Sequence, residues 1–156
     1  PTQIRRYLNR VSGPFLDRID IGVEVPRQDL GMMAAEKSID EGSFPQTEQR
    51  NSSAVMRARV MEARARQEKR FADESISYNS QMTRRQIEEY CRLSGEDAVF
   101  LEKVERQQGI SARGHGKILK VARTLADLDG QAEIGRTQLA EAIGFRSFEK
   151  KYWGSL

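Results

Sequence analysis

One segment of this 156-residue chain alternates like a β-strand, and nothing else in the sequence could pair with it. Ile19, Ile21, Val23 and Val25 alternate with Asp20, Gly22 and Glu24, and Pro26 ends the pattern. No other stretch has comparable strand character. A lone strand leaves its backbone N–H and C=O groups unpaired, and even a two-stranded hairpin is marginal in water. The expected fold is therefore mainly α, preceded by a single orphan strand. Residues 1–26 read as the end of a larger sheet-containing domain.

Ahead of the strand, Ile4, Tyr7, Leu8 and Val11 are helically spaced, and Ser12-Gly13-Pro14 stops that helix. Residues 27–53 show no period and carry Gly31, Gly42 and Pro45, so a linker or long loop is expected. From Ala54 onward the periods are helical. Met56, Val60, Ala63, Gln67 and Phe71 form one stripe. A loop over 73–82 follows. Thr83 with Gln86 makes a capping box for a helix that buries Ile87, Tyr90 and Cys91. Ser94 caps a third helix with Ala98, Leu101 and Val104 facing in, broken by Gly109. A fourth runs from about Gly116 to Leu128 and ends at Gly130. A fifth follows Thr137 and includes Leu139, Ala142 and Ile143. Residues 54–149 are thus expected to form a helical bundle, and 150–156 a tail.

Composition narrows the functional classes. The chain is 38% hydrophobic and 31% charged, with a net charge of +3, as in soluble globular proteins. No apolar run approaches the roughly 18–20 residues of a membrane span, and no secretory signal is visible at the N-terminus. The one cysteine, Cys91, excludes an internal disulfide. A cytoplasmic protein without a membrane partner is expected.

Self-contained catalysis finds no support. A P-loop needs Gly, four residues, then Gly-Lys and Ser or Thr. The nearest approach, Gly116-Lys117, has Ser111 and Ile118 in the wrong places. His115 is the only histidine, which leaves a His-based metal site or triad without partners. It reads as a solvated turn residue between two glycines. Cys91 reads as a small buried apolar group, and Glu88-Glu89 as solvated surface charge.

Two separated motifs carry the functional signal. One is Arg6-Tyr7-Leu8-Asn9-Arg10-Val11-Ser12-Gly13-Pro14-Phe15-Leu16-Asp17-Arg18-Ile19-Asp20. The other is Leu119-Lys120-Val121-Ala122-Arg123-Thr124-Leu125-Ala126-Asp127-Leu128-Asp129. Together with Arg57, Val60, Ala63-Arg64, Gln67 and Arg70, they resemble the magnesium-chelatase-like AAA+ ATPases, and within them the bacterial ComM group. The resemblance implies a homo-oligomeric, hexameric ATPase using ATP and Mg2+, with its P-loop upstream of Pro1 and no nucleotide bound by this segment alone. Residues 1–26 would end the nucleotide-binding core, and residues 54–149 would be its helical lid. Arg18, flanked by Asp17 and Asp20, falls at the arginine-finger position, and Arg113 at the sensor-2 position. Bulkier residues than Gly114-His115-Gly116 are expected after Arg113, so a looser turn is anticipated there.

Arg59, Arg66 and Arg70 lie along one side of the first bundle helix. They could face DNA or a subunit interface, or pair with nearby acids such as Glu62 and Glu68. Three functions remain open: a DNA-processing motor, a chelatase-type motor that remodels proteins, and a non-enzymatic helical interaction module.

Overall fold

The computed structural model describes residues 15, 18–25 and 52–146. The helix expected over Thr2–Val11, most of the linker and the tail with Trp153 lie outside the described residues. Among the described residues, five helices follow Ser52. They are α1 (Ser53–Arg70), α2 (Arg84–Tyr90), α3 (Gly95–Gln108), α4 (Ala112–Leu128) and α5 (Arg136–Gly144), with a 3-10 turn at Asn79–Gln81 between α1 and α2. Among the described residues there is no strand. Residues 19–25, expected to be a strand, belong to no ladder among the described residues.

Helix α4 organises the bundle. Ile118, Leu119, Ala122 and Ala126 are buried along it, and α1, α2, α5 and the 3-10 turn all pack against it. Two alanines on that face let neighbouring helices approach closely, while Leu101, Ile134, Leu139, Ala142 and Ile143 fill the rest of the core. Each fully buried Leu or Ile contributes about 1.5–3 kcal/mol. Phe71, at the end of α1, meets Tyr90 of α2 edge-to-face at 5.4 Å.

Helix boundaries follow local chemistry. Thr83 and Gln86 form the expected capping box, with Thr83 N–H donating to Gln86 Oε1 at 2.8 Å. Ser94 Oγ accepts from Asp97 N–H at 3.1 Å. Gly109 and Gly130 close α3 and α4 at φ 68° and 73°, a left-handed conformation that favours glycine.

Three expectations change. Helix α4 begins at Ala112, because Ser111 Oγ accepts from Gly114 N–H at 3.1 Å and caps it. Gly114-His115-Gly116 therefore lies inside the helix. Gly114 is buried, and a Cβ there would sit 2.7 Å from Ile110 Cγ2. The glycine permits a close approach, and the turn is tight where a loose one was anticipated. Helix α5 likewise starts at Arg136, one residue before Thr137.

The apolar stripe of α1 is buried only in part. Ala63, Gln67 and Phe71 are covered, whereas Met56 and Val60 are 51% and 45% exposed. The bundle covers only the C-terminal half of this helix. Ala98, expected inside α3, is exposed and lines a cleft instead.

Candidate functional site

Arg113 occupies the second position of α4, one residue beyond the first turn's opening residue, where the helix dipole favours anions. It is exposed, and no acidic side chain among the described residues pairs with it. Arg18 is also exposed, in a turn whose backbone N–H donates to the Phe15 carbonyl at 2.9 Å. The two arginines are 95 positions apart in the chain yet line the same open cleft, of about 1630 Å³. Its floor is apolar, with Ile87, Leu101 and Leu119 among the lining residues.

Three contacts hold the Arg18 segment against the bundle. Lys117 Nζ of α4 lies 2.8 Å from Asp20 Oδ1, and Lys117 keeps only 16% of its side chain exposed. Gly22 N–H donates to the Phe145 carbonyl at 2.9 Å. The buried Arg146 donates from Nη1 to the Ile19 carbonyl at 3.1 Å, while its Nε lies 3.8 Å from where a Gly114 Cβ would be. Asp20, which flanks Arg18 in the sequence, thus carries an ion pair to the helix that presents Arg113.

Two further cations of the cleft are engaged by neighbouring groups. Arg84 pairs with Glu88 at 3.1 Å, and Lys120 donates to the Ser80 carbonyl at 2.9 Å. His115 is part-buried, with Nδ1 2.6 Å from Glu105 Oε1, and so is more than a solvated turn residue. Cys91 borders the cleft but is buried, and burial pushes its thiol up to about 11. It behaves as an apolar group, as its sequence context suggested.

The arginines of α1 do not present one common surface. Arg59 and Arg66 stay on the outside, with Arg59 3.7 Å from Asp129 and Arg66 3.9 Å from Glu62. Arg70 turns inward and meets Asp127 through both terminal nitrogens, Nη1 to Oδ2 at 2.8 Å. Asn79 Nδ2 also donates to Asp127, at 2.8 Å, and Arg123 Nη2 lies 3.2 Å from it. Arg123 donates to the carbonyls of Gln131 and Ala132 at 2.7 and 2.8 Å, tying down the loop before α5. Burial lowers the pKa of Arg123, and Asp127 opposes that effect.

Periodicity missed this network because it scores apolar residues. The available signal was Arg123 and Asp127 four residues apart, on the stripe of the most apolar helix. Among the described residues no group of three His, Cys, Asp or Glu side chains could hold a metal ion. Nor is any described helix long and apolar enough to cross a membrane.

Comparison with known proteins adds the family. Residues 50–146 match the C-terminal model of magnesium chelatase subunit ChlI, and residues 1–33 match the model of the ChlI subunit itself. The competence protein ComM of Haemophilus influenzae is 41% identical over 148 residues, which is 94% of this chain and 26% of that protein. The protein YifB of Escherichia coli is 39% identical over 150 residues, 96% of this chain and 27% of its own length. An uncharacterized protein of Mycobacterium tuberculosis is 30% identical over 142 residues. The chain spans about a quarter of the length of these relatives.

Proposed function

The chain belongs to the magnesium chelatase ChlI family, and from that premise we propose that it supplies the regulatory arginines of an ATPase. Arg18 is the arginine finger. Arg113, at the start of α4, reports whether a γ-phosphate is present. The observation that carries this reading is the shared cleft: two exposed arginines from opposite ends of the sequence line one surface.

The physical case is electrostatic. Charge builds on the γ-phosphoryl oxygens as the bond to the leaving phosphate breaks, and a preorganised guanidinium offsets it. Arg suits this better than Lys, because its planar fork meets two phosphate oxygens together. The cleft is open and exceeds the roughly 300–1,000 Å³ of an enclosed ligand pocket. On this reading the nucleotide is held by a neighbouring subunit of a homo-oligomeric ring, as the family resemblance implies. ATP with Mg2+ would be bound there, with the metal's ligands lying outside the residues described here.

A relative named for competence favours DNA as the motor's substrate. The exposed Arg59 and the half-buried Arg66 are basic residues for such a contact, whereas Arg70 is committed to Asp127. The decisive experiment measures ATP turnover of the intact protein, wild type against Arg18→Ala and Arg113→Ala, with and without DNA. Loss of a finger typically lowers kcat by about 10³- to 10⁵-fold while nucleotide binding persists. Unchanged turnover in Arg18→Ala would refute its role as a finger. Turnover indifferent to DNA would move the substrate to a protein partner, as in chelatase-type remodelling. An intact protein that never hydrolyses ATP would leave a helical interaction module.

A further inference from the structure

We infer that Lys117, with Asp20 and Arg146, forms a clasp that fixes the Arg18 segment to α4, so that Arg18 and Arg113 move as one body. This inference rests on the roles proposed above for those two arginines. Lys117 and Arg146 are positioning residues on this view. Neither needs to touch nucleotide.

The geometry is specific. Lys117 lies four residues after Arg113, one helical turn along the same face of α4. Its ammonium reaches Asp20, two residues after Arg18. The finger segment is thus tied one turn away from the sensing arginine, on the same helix. Arg146 closes the other side. It is buried, donates to the Ile19 carbonyl, and borders Gly114, which follows Arg113. Gly22 N–H bonded to the Phe145 carbonyl completes the attachment.

These contacts have an energetic logic. Residues 19–25 belong to no ladder among the described residues, and the contacts that order them there run to the helical unit. Fixing each residue costs about 1–2 kcal/mol of backbone entropy. Contacts to the helical unit must offset that cost, and the part-buried Lys117 and buried Arg146 are placed to do so. If γ-phosphate contact at Arg113 shifts α4, the clasp carries Arg18 with it. The lid's response to nucleotide and the delivery of the finger then become one motion.

The test uses the intact protein with Asp20→Asn, Lys117→Met, the double variant, and the charge exchange Asp20→Lys with Lys117→Asp. Amide exchange at Gly22 and steady-state ATP turnover are read together. Each single variant is expected to speed Gly22 exchange and lower kcat by about fivefold, the upper range for one exposed pair. KM for ATP should stay within about twofold, because uniform binding is untouched. The double variant should be no worse than either single one, and the charge exchange should restore both readouts.

Unaltered Gly22 exchange in both single variants would overturn the clasp. So would faster exchange with unchanged kcat, provided Arg18→Ala abolishes turnover in parallel. If Arg18→Ala leaves turnover untouched, the finger assignment fails and Gly22 exchange alone judges the clasp. Arg146→Lys gives a second, independent variant: it should also speed exchange at Gly22, and no change there counts against the inference.

Discussion

The buried network around Asp127 makes a quantitative prediction about which of its members matters most. Asp127 is fully buried and is the only carboxylate in contact with Arg70 and Arg123 among the described residues. Replacing it with Asn leaves two guanidinium groups facing each other. Arg123, 3% exposed, cannot reach water to compensate. Removing one partner of a buried pair costs about 3–5 kcal/mol, and Asp127→Asn should fall in that range. Arg70→Met is different. It leaves Asp127 with Arg123 at 3.2 Å and Asn79 at 2.8 Å, so the carboxylate keeps a counter-charge. The loss is then of charge-assisted hydrogen bonds from a side chain that is 16% exposed, about 1.5–3 kcal/mol. Thermal unfolding of the 156-residue chain reads the difference. With about 2–4 °C per kcal/mol for a chain of this length, Asp127→Asn should lower Tm by at least about 6 °C. Arg70→Met should lower it by clearly less. An Arg70→Met chain that is as unstable as Asp127→Asn would refute the argument that Arg123 backs up the pair. An Arg70→Met chain with unchanged Tm would return Arg70 to the surface, where a DNA or subunit contact could use it.

Two further stability tests follow from single positions. Gly114→Ala should destabilise the fold by about 1 kcal/mol net. The new Cβ would press on Ile110 Cγ2, a branch fixed close to its backbone, and overpacking costs about 1–3 kcal/mol against about 1 kcal/mol gained in helix propensity. Gly116→Ala meets only the end of Ile87 at 3.4 Å and should be neutral or stabilising, so urea titrations giving both variants the same sign would contradict the packing argument. Cys91 yields a pH test. Its thiol is raised from 9.0 to about 11, so the folded state binds its proton more tightly than the unfolded state. That stabilisation is complete below about pH 9 and is lost as pH rises through 11. Cys91→Ala should therefore abolish a decline of about 2–3 kcal/mol between pH 9 and 11; an equal decline in both chains would show that the thiol is not its source.

What the sequence revealed, and what it hid, divides along the range of the interactions. Caps are local, so Thr83 with Gln86, Ser94, Gly109 and Gly130 marked their helix ends in advance. The start of α4 was misplaced because two glycines within three residues look like a turn, while the reason for Gly114 is contact with Ile110 and Arg146. The α1 stripe was apolar except at Gln67, but how much of it is buried depends on how far α4 packs along it, and nothing within α1 encodes that. Resemblance to a family singled out Arg18 and Arg113 one at a time. Their shared cleft needed the ion pair of Lys117 with Asp20 and the bond from Arg146 to Ile19. Both contacts span about a hundred residues of sequence, and no periodicity reports them.

The energetics of the cleft decide what two arginines can contribute there. A unit charge pair at 4 Å is worth about 1 kcal/mol in water and about 4 kcal/mol near a protein surface, before desolvation is subtracted. The cleft is open and both arginines are exposed, so each contact with a phosphate lies near the low end. Together they supply about 2 kcal/mol, half of the 4.1 kcal/mol that even a millimolar ligand requires. Affinity for nucleotide must therefore come mainly from other groups. On the proposed reading a closing subunit would change the balance, because excluding water strengthens such contacts severalfold when charge on the phosphate is greatest. An interaction that is weak in the open cleft and strong in the closed, reacting state raises turnover without raising affinity. On the proposed reading, that is why Arg18→Ala should abolish hydrolysis and leave nucleotide binding intact, and why a clasp that sets where Arg18 sits should appear in kcat and not in KM.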